Sequence, residues 1–427
     1  MKNRITLFLT CLLCFNLFGQ TPFKDLDIKQ FQYADAQIRT FDLGLNQVSQ
    51  FSYYDYGQDI QSTNNNFRFN GSFVTRQYKN SRKIQHSRAL FGDFSTQKFN
   101  SGEESRPWAI RGNVGFNTQS RFYKENKFLE ISPDFNLSIV KDDNLEFNGA
   151  VALKKGRGRI EPVSDVYMVR WMLKDLEDNG VNLSDWSQDD VFEIANRLNV
   201  INNYRIFDGR RQLKTQVKDI SMAIESKGKG TLEPFDLYGI VFDNYTRAFI
   251  GSRFEGSRRA FVARPTFKNR NTISTQKNST FAYGLELFGE YTRSKNTSLN
   301  TQHGLEFQGG VGFLGNSEPD YKYFYPFVQG KYQFDWYPNS RSSLSWFAQA
   351  QYRYENYKLL SDVFNRSSQS TVFGNAGFTT NYFISFRTRI QATFGVNYND
   401  INLINVSNGR RKNFNFNNNI SFLHSIF

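Results

Sequence analysis

Residues 384–399 read ISFRTRIQATFGVNYN, and apolar and polar side chains alternate along nearly the whole stretch. Ile390, Ala392, Phe394 and Val396 share one parity, whereas the residues between them are polar or glycine. Successive side chains of an extended strand point to opposite faces of a sheet. This spacing therefore predicts a strand over residues 384–399 with one apolar and one polar face.

The same alternation recurs from about residue 278 to the C-terminus and, less regularly, from residue 41 to residue 156. Runs of about ten residues or more are typical of transmembrane barrels, whereas strands of soluble sheets are usually about five to six residues long. Residues 41–156 supply strands 1–6 of the predicted sheet, and residues 255–427 supply strands 7–14. The sequence predicts an all-β fold, a transmembrane antiparallel β-barrel of about 14 strands within a range of about 12–16.

Residues 157–254 change to helical spacing and predict a helical insert. Val169 and Met172 recur at helix intervals, and Ser187 with Asp190 resembles a capping box at the start of a second helix. An even number of strands on either side places the insert at the end that carries both termini, which we expect to be periplasmic. A miscounted strand would place it outside the cell.

The N-terminus has the features of a secretory signal peptide. Lys2 and Arg4 precede an apolar stretch that ends at Gly19. This order of basic, apolar and small residues predicts a signal over residues 1–19. Residues 20–40 are polar and mixed, and we expect them to form a periplasmic N-terminal extension.

Both cysteines of the chain, Cys11 and Cys14, lie within this signal. Lipidation is an alternative, but Thr10 and Leu13 stand where a small residue is expected before a lipidated cysteine. Removal of the signal leaves no thiol, so we expect no disulfide and no cysteine metal site. We expect no metal and no cofactor.

Basic residues outnumber acidic residues by 53 to 40. The excess is spread through the strands without a recognition motif, so we expect no nucleic-acid partner. Outer-membrane lipid and lipopolysaccharide carry negative charge that such a surface attracts. The expected location is the outer membrane of a Gram-negative bacterium.

Charged residues recur on the polar parity of the strands. If the apolar parity faces lipid, they either line an aqueous channel or pair with one another and fill the lumen. Arg387 and Arg389 are the leading candidates, because two guanidinium groups on one face suit a carboxylate or phosphate. The other lumen candidates are Arg353, Glu355, Lys331, Asp335, Glu306, Glu286, Glu290, Arg111, Arg121, Glu130 and Asp134.

Two further groups are candidates for protein contacts. The last strand ends on Phe427, which resembles the terminal aromatic signal read by the barrel-assembly machinery, although a plain strand end is the alternative. Leu213, Val217, Ile220 and Ile224 recur at helix intervals and predict a third helix in the insert. Between the second and third predicted helices stand Arg205, Asp208, Arg210 and Arg211. These four residues either hold a helical cap or plug together or help to dock a periplasmic protein partner.

Catalytic constellations are absent from the sequence, with one weak exception. Nucleophilic catalysis needs a nucleophile with an oriented base, and His303 near Ser294 and Ser298 is the nearest approach to this. Glu286 and Glu290 stand about 13 Å apart on one strand face, which is too far for glycoside hydrolysis. We expect no enzyme, with an outer-membrane lipid hydrolase as the alternative.

Two short segments carry a resemblance. The predicted signal ends in Leu-Phe-Gly-Gln, and GRIEPVSD at residues 158–165 stands between strands and helices. Together with the barrel strands, they resemble a group of uncharacterised outer-membrane β-barrel proteins of Bacteroidota. The resemblance covers most of the chain and implies fold and location. It implies no activity and supplies no catalytic residues.

The function that these features favour is a porin-like channel or passive transporter for small solutes. The alternative is a structural or assembly component with a plugged lumen, whose helical insert binds a periplasmic partner. Fold class alone does not separate these two functions, because the same barrel serves both.

Overall fold

The computed structural model describes residues 26–31, 36–55, 61–101, 104–105, 109–141, 144–203, 209–227, 232–247, 253–272, 278–317, 320–356, 368–385, 388–403 and 410–424. The predicted signal and the candidates Arg205, Asp208, Arg387 and Phe427 lie outside these residues. In Arg210, Arg211 and Arg389 the backbone alone is described.

The described residues form fourteen long strands and four α-helices. Before the helices come β1 (Ala36–Asp55), β2 (Gln61–Asn80), β3 (Ile84–Ser101), β4 (Ala109–Lys124), β5 (Lys127–Val140) and β6 (Asn144–Pro162). After them come β7 (Phe254–Thr272), β8 (Asn278–Ser298), β9 (Thr301–Ser317), β10 (Asp320–Asn339), β11 (Ser342–Glu355), β12 (Gln369–Ser385), β13 (Thr388–Leu403) and β14 (Arg410–His424). The helices are α1 (Ser164–Asp178), α2 (Gln188–Asn203), α3 (Gly209–Glu225) and α4 (Pro234–Arg247). The predicted antiparallel sheet with its helical insert is confirmed.

Each strand pairs antiparallel with its neighbours in the chain, in the order β1 to β14. A two-residue strand, Glu104–Ser105, pairs with the end of β3. β6 and β7 pair over their whole length, up to Pro162 opposite Phe254, although the insert lies between them. This up-and-down order differs from the Greek-key order of most β-sandwiches.

One strand boundary differs from the prediction. Ile384 belongs to β12, whereas the sequence predicted a strand over residues 384–399 that begins with it. Ser385 pairs with Thr388 across a two-residue connection. The apolar residues on both sides of this connection keep the same parity, so alternation alone does not reveal the turn.

The two faces of the sheet differ in polarity. On one face, which we call the outer face, large apolar side chains such as Leu129, Leu153 and Phe261 are exposed. On the other, the inner face, charged side chains such as Glu130 and Asp335 are buried. In soluble proteins this distribution is reversed, since charged residues are mostly exposed.

The strand ends fall into two groups. Short connections join β2 to β3, β4 to β5, β8 to β9 and β10 to β11 at one end. β1 begins at this end, because Ala36 pairs with Asn80, and β14 finishes there, because His424 pairs with Thr388. The insert emerges at the same end, between β6 and β7. We call it the insert end.

The four helices form an apolar core of their own at the insert end. α1 buries Val166, Met172 and Leu173 on one side. The same core also buries Leu299, from the connection between β8 and β9, and Phe31, which precedes β1. Among the described residues, no helix is long and apolar enough to cross a membrane.

The start of α2 has the predicted capping box. The backbone nitrogen of Asp190 donates to Ser187 Oγ over 3.2 Å, and the backbone nitrogen of Ser187 donates to Asp190 Oδ2 over 2.9 Å. The helical spacing of the sequence does not reveal α4. Its segment PFDLYGIVFDNYTR is rich in aromatic and β-branched residues, which favour strands when judged by local preference alone.

The predicted insert boundary at residue 157 is wrong, because residues 157–162 belong to β6. β5 pairs with β6 only as far as Arg157, whereas the pairing with β7 continues to Pro162. We call residues 158–162 and 254–258 the ribbon, because they extend beyond the neighbouring strands as two paired segments. Glycine and basic residues conceal the alternation here.

Two glycines bend the ribbon. Gly158 has a φ angle of 93° and Gly256 has a φ angle of 123°, which residues with a side chain rarely adopt. The bend at Gly158 also changes the side-chain parity of β6. Before the glycine, even-numbered residues such as Lys154 face inward. After it, the odd-numbered residues Arg159 and Glu161 face inward.

Replacing Gly158 with alanine is expected to straighten the ribbon and loosen the insert. A Cβ atom at this position would lie 2.2 Å from the carbonyl oxygen of Ser257, and the left-handed conformation itself costs an L-residue about 1–2 kcal/mol. We expect trypsin to cleave the insert about ten-fold faster. Gly330→Ala is the control, because a Cβ there meets no atom within 4 Å. Equal cleavage rates in the two variants would contradict this role of Gly158.

Candidate functional site

The candidate site is the inner face of the sheet. The strand registers place Arg121 opposite Glu130 and Glu306 opposite Lys331. Asp335 is two residues from Gln333 on β10, so both side chains lie on the same face. The described lumen candidates all share the inner parity. They are Arg353, Glu355, Lys331, Asp335, Glu306, Glu286, Glu290, Arg111, Arg121, Glu130 and Asp134.

Glu130 is the centre of the most buried group, and its side chain has no exposed surface. Arg121 Nε donates to Glu130 Oε2 over 2.7 Å, and Lys154 Nζ lies 3.3 Å from Oε1. Gln119 and Ser132 donate to Oε1 over 2.7 and 2.8 Å. A buried carboxylate stays ionised only where such partners replace its water.

Lys154 connects Glu130 to a second carboxylate. Its Nζ lies 3.0 Å from Glu290 Oε2, and Arg258 Nε lies 3.8 Å from Glu290 Oε1. Lys154 is on β6 and Glu290 is on β8, so their contact spans the intervening strand on the inner face. We call Arg121, Glu130, Lys154, Arg258 and Glu290 the ion network. It fills the inner face close to the insert end.

Ion pairs farther from the insert end are more exposed. Lys268 Nζ lies 2.9 Å from Glu146 Oε1, with 49% and 22% of the two side chains exposed. The corresponding values for Arg121 and Glu130 are 6% and 0%. Arg111 and Asp134 are also exposed. The inner face is therefore packed near the insert end and accessible toward the opposite end.

The ribbon contacts a distant hairpin. Arg159 donates to the carbonyl oxygens of Ser81 and Arg82 over 2.8 Å each, and Asn80 Nδ2 donates to Glu161 Oε2 over 3.2 Å. These partners lie at the connection between β2 and β3, and β2 is four strands away from β6. Four strand spacings amount to about 19 Å along the sheet. The ribbon therefore folds across the insert end to reach them.

Arg253 joins the insert to the sheet. Its buried guanidinium carbon lies 4.2 Å from the ring centre of Tyr167 in α1 and 3.9 Å from that of Tyr337 in β10. Nη2 donates to the carbonyl oxygen of Leu299 over 2.6 Å. Burial lowers the pKa of Arg253 to about 10 and raises the pKa of Tyr167 to about 12. At neutral pH a cation thus lies between two uncharged rings, a favourable arrangement when desolvated.

The insert also contacts the rim of the sheet at distant strands. α2 contacts β1, and Arg341, between β10 and β11, places Nη2 3.4 Å from Asp243 Oδ2 in α4. β1 and β10 are nine strand spacings apart, about 43 Å along the sheet. The helices are only about 21–26 Å long at 1.5 Å per residue. The sheet must therefore curl around the insert for both contacts to form.

A cavity of about 370 Å³ lies on the inner face between β8 and β12. Lys331 Nζ lies 3.7 Å from Glu306 Oε1 at its wall, and both side chains are partly exposed. Asp335 accepts hydrogen bonds from Gln302 and Ser345 over 3.2 and 2.5 Å. Both donors and acceptors thus line a space that fits a small polar solute.

The proposed alternative of a histidine base is not supported by the geometry. His303 lies on the outer face, where its Nδ1 is 2.7 Å from Tyr332 Oη. Ser294 lies opposite Gly304 and has the inner parity, and Ser298 Oγ is 2.8 Å from Thr301 Oγ1. The structure therefore does not bring the two serines to the histidine. Within the described ranges, no cluster of three or more His, Cys, Asp or Glu side chains could hold a metal ion.

Comparisons with known proteins supply no family. No protein-family model matches the chain, and no curated protein matches it. Among solved structures, one described as "Bacterial polysaccharide outer membrane secretin" is similar over 84% of this chain and 91% of that chain. The identity is 10% and the TM-score is 0.25.

Proposed function

We propose that the protein is an integral outer-membrane β-barrel that admits small polar solutes to its lumen and is capped at the insert end by its own helices. The observation that carries this proposal is the reversed polarity of the sheet. An exposed apolar outer face is stable against lipid, and a buried charged inner face suits a lumen.

A membrane position would also require the sheet to close. β1 and β14 are the two ends of the strand order, and unpaired backbone groups in lipid cost several kcal/mol each. Pairing of β1 with β14 removes both edges. In single-chain bacterial barrels the short turns face the periplasm, which assigns the insert end to the periplasmic side.

The cap is expected to control passage. The ion network and the ribbon occupy the insert end, whereas the ion pairs near the opposite end are exposed. A solute would enter the lumen from the outer side, reach the polar cavity and continue only after the helices move. This is passive transport through a gated lumen, in which charged side chains sort the solutes.

Planar-bilayer recording tests this proposal. The wild type is expected to open rarely, whereas Arg253→Ala combined with Arg341→Ala removes two contacts between insert and sheet. Loss of about 2.7 kcal/mol of docking free energy, which the contacts of Arg253 alone can supply, would raise the open fraction about 100-fold. Lys214→Ala combined with Lys218→Ala is the control, because both lysines are exposed on α3. A steadily open wild type would contradict the cap.

The buried ion network favours a second candidate, a structural or assembly component with a plugged lumen. This function predicts no conductance from the wild type or from either double variant. It also predicts that a periplasmic protein co-purifies with the full chain and is lost when the insert is deleted. Conductance in the Arg253 and Arg341 variant would exclude a permanently plugged lumen.

Several expectations from the sequence remain proposals. Residues 1–19 would direct export, and the barrel-assembly machinery would read Phe427 during insertion. Arg387 and Arg389 would contribute to solute selectivity. Membership of the Bacteroidota group and the lack of enzyme activity rest on the sequence alone.

A further inference from the structure

The outer face carries a belt of basic side chains at the insert end. On β2–β8, outward positions next to the short connections hold nine exposed lysines and arginines. We call these residues the basic belt. They are Lys79, Arg88, Lys124, Lys127, Lys155, Arg157, Arg259, Arg293 and Lys295.

Four belt residues lie in one row across neighbouring strands. Lys124 is opposite Lys127, Lys127 is opposite Arg157, and Arg157 is opposite Arg259. Opposite side chains of paired strands are about 4.5–5.5 Å apart at Cβ, and like charges in this position are destabilising. The row therefore needs negative charge from outside the sheet.

The described strand residues at the insert end do not provide that charge. Within the described ranges, no acidic residue occupies an outward position in the last six residues of β2–β8 at the insert end. The belt residues form no ion pair with a described residue, although Arg88 lies over the ring of Phe116. Their charges are thus available to a ligand.

The opposite ends of the same strands carry far fewer basic side chains on the outer face. Outward positions there carry apolar or uncharged side chains such as Ile139, Phe147 and Phe281. Lys98 is the sole basic residue among the described outward positions within the strands at that end, and Lys141 follows in the connection after β5. Net charge alone would not produce nine basic residues at one end and one at the other, so the asymmetry indicates a ligand located at the insert end.

The belt borders the apolar band directly. Leu129 is two positions from Lys127, Leu153 from Lys155 and Phe261 from Arg259. All three apolar residues are exposed on the outer face. Lysine and arginine in such a position lay their aliphatic stems along apolar surface and hold their charges in the polar layer. In a bilayer, that layer contains the lipid headgroups.

We propose that the basic belt binds the phosphate headgroups of anionic phospholipids in the leaflet at the insert end. Lysine and arginine bind phosphate oxygens through charge-assisted hydrogen bonds. One basic side chain near an anionic surface raises association about five-fold. The inference rests on the proposed membrane position. An acidic protein is a poorer fit, because it would have to displace the lipid that adjoins the belt.

Spin-labelled lipids test this binding in bilayers that contain the full chain. We expect the wild type to prefer labelled phosphatidylglycerol over phosphatidylcholine about five-fold or more, and the preference should fall in ~1 M salt. The belt variant Lys124→Gln, Lys127→Gln, Arg157→Gln and Arg259→Gln should lose most of it. Neutralising a row of like charges removes repulsion, so this variant is expected to fold.

The matched control also loses four positive charges, but at other places. It combines Lys214→Gln and Lys218→Gln in the insert with Lys322→Gln and Lys412→Gln at the end of the sheet opposite the insert. This control should keep the preference for phosphatidylglycerol. An unchanged preference in the belt variant, or an equal loss in the control, would overturn the basic belt as a lipid site. Failure of the chain to insert into any bilayer would instead overturn the proposed membrane position.

Discussion

Glu130→Gln is expected to lower the free energy of unfolding by about 3–5 kcal/mol, the usual result of removing one partner from a buried ion pair. Glutamine keeps the size of the side chain, and Gln119 and Ser132 can still donate to its oxygen. Arg121 and Lys154, however, lose the carboxylate that offsets their burial. Equilibrium unfolding in urea, with the protein in lipid vesicles and tryptophan fluorescence as the signal, measures the change.

Glu306→Gln is the matched control for this substitution. Glu306 is also on the inner face and pairs with Lys331, but the atoms are 3.7 Å apart and about half of the Glu306 side chain is exposed. Exposed pairs contribute about 0–1 kcal/mol. Similar losses in the two variants would show that burial in the ion network adds nothing to stability.

Arg253→Ala is expected to release the insert from the sheet while the barrel stays folded. The substitution removes the cation between Tyr167 and Tyr337 and leaves the carbonyl oxygen of Leu299 without its donor. A desolvated cation over an aromatic ring contributes about 2 kcal/mol, and an unsatisfied buried carbonyl costs about 1–3 kcal/mol. Amide hydrogen exchange at residues 163–167 and 296–302 should become about 100-fold faster.

Arg197→Ala provides the comparison for Arg253→Ala. Arg197 lies on α2 within the same insert and is exposed, so its loss should leave the exchange rates unchanged. Unchanged rates in Arg253→Ala would mean that the contacts of Arg341 and the ribbon suffice to hold the insert. Faster exchange throughout the strands would indicate general unfolding instead of undocking.

The sequence predicted the strand number and the division of residues between two faces, because both depend on local alternation. Each residue predicted to face the lumen was assigned by its odd or even position in its own strand. This assignment does not depend on which strand lies beside that strand. The same reasoning failed at Ile384, where a turn leaves parity unchanged, and at Gly158, where a positive φ angle reverses it. Local patterns are reliable only while the backbone stays extended.

The partners of the inward charges could not be predicted in the same way. The contact between Lys154 and Glu290 depends on the curvature of the sheet, and that between Arg159 and the β2–β3 connection depends on the bend of the ribbon. Arg253 belongs to no periodic pattern, since it stands alone between helix and strand. Its burial results from three segments that are distant in the chain. The role of Arg387 and Arg389 stays a prediction.

The pairing of β6 with β7 has a consequence for the order of folding. Other neighbouring strands are joined by connections of at most 13 residues, whereas these two are separated by the entire insert. Closing so long a loop costs about 3 kcal/mol more than a tight turn. A folded insert removes this cost. The backbone nitrogen of Val163 donates to the carbonyl oxygen of Arg253 over 2.8 Å, so the ends of the helical unit already lie side by side. We expect the helices to fold first and to serve as the turn from which the second half of the sheet grows.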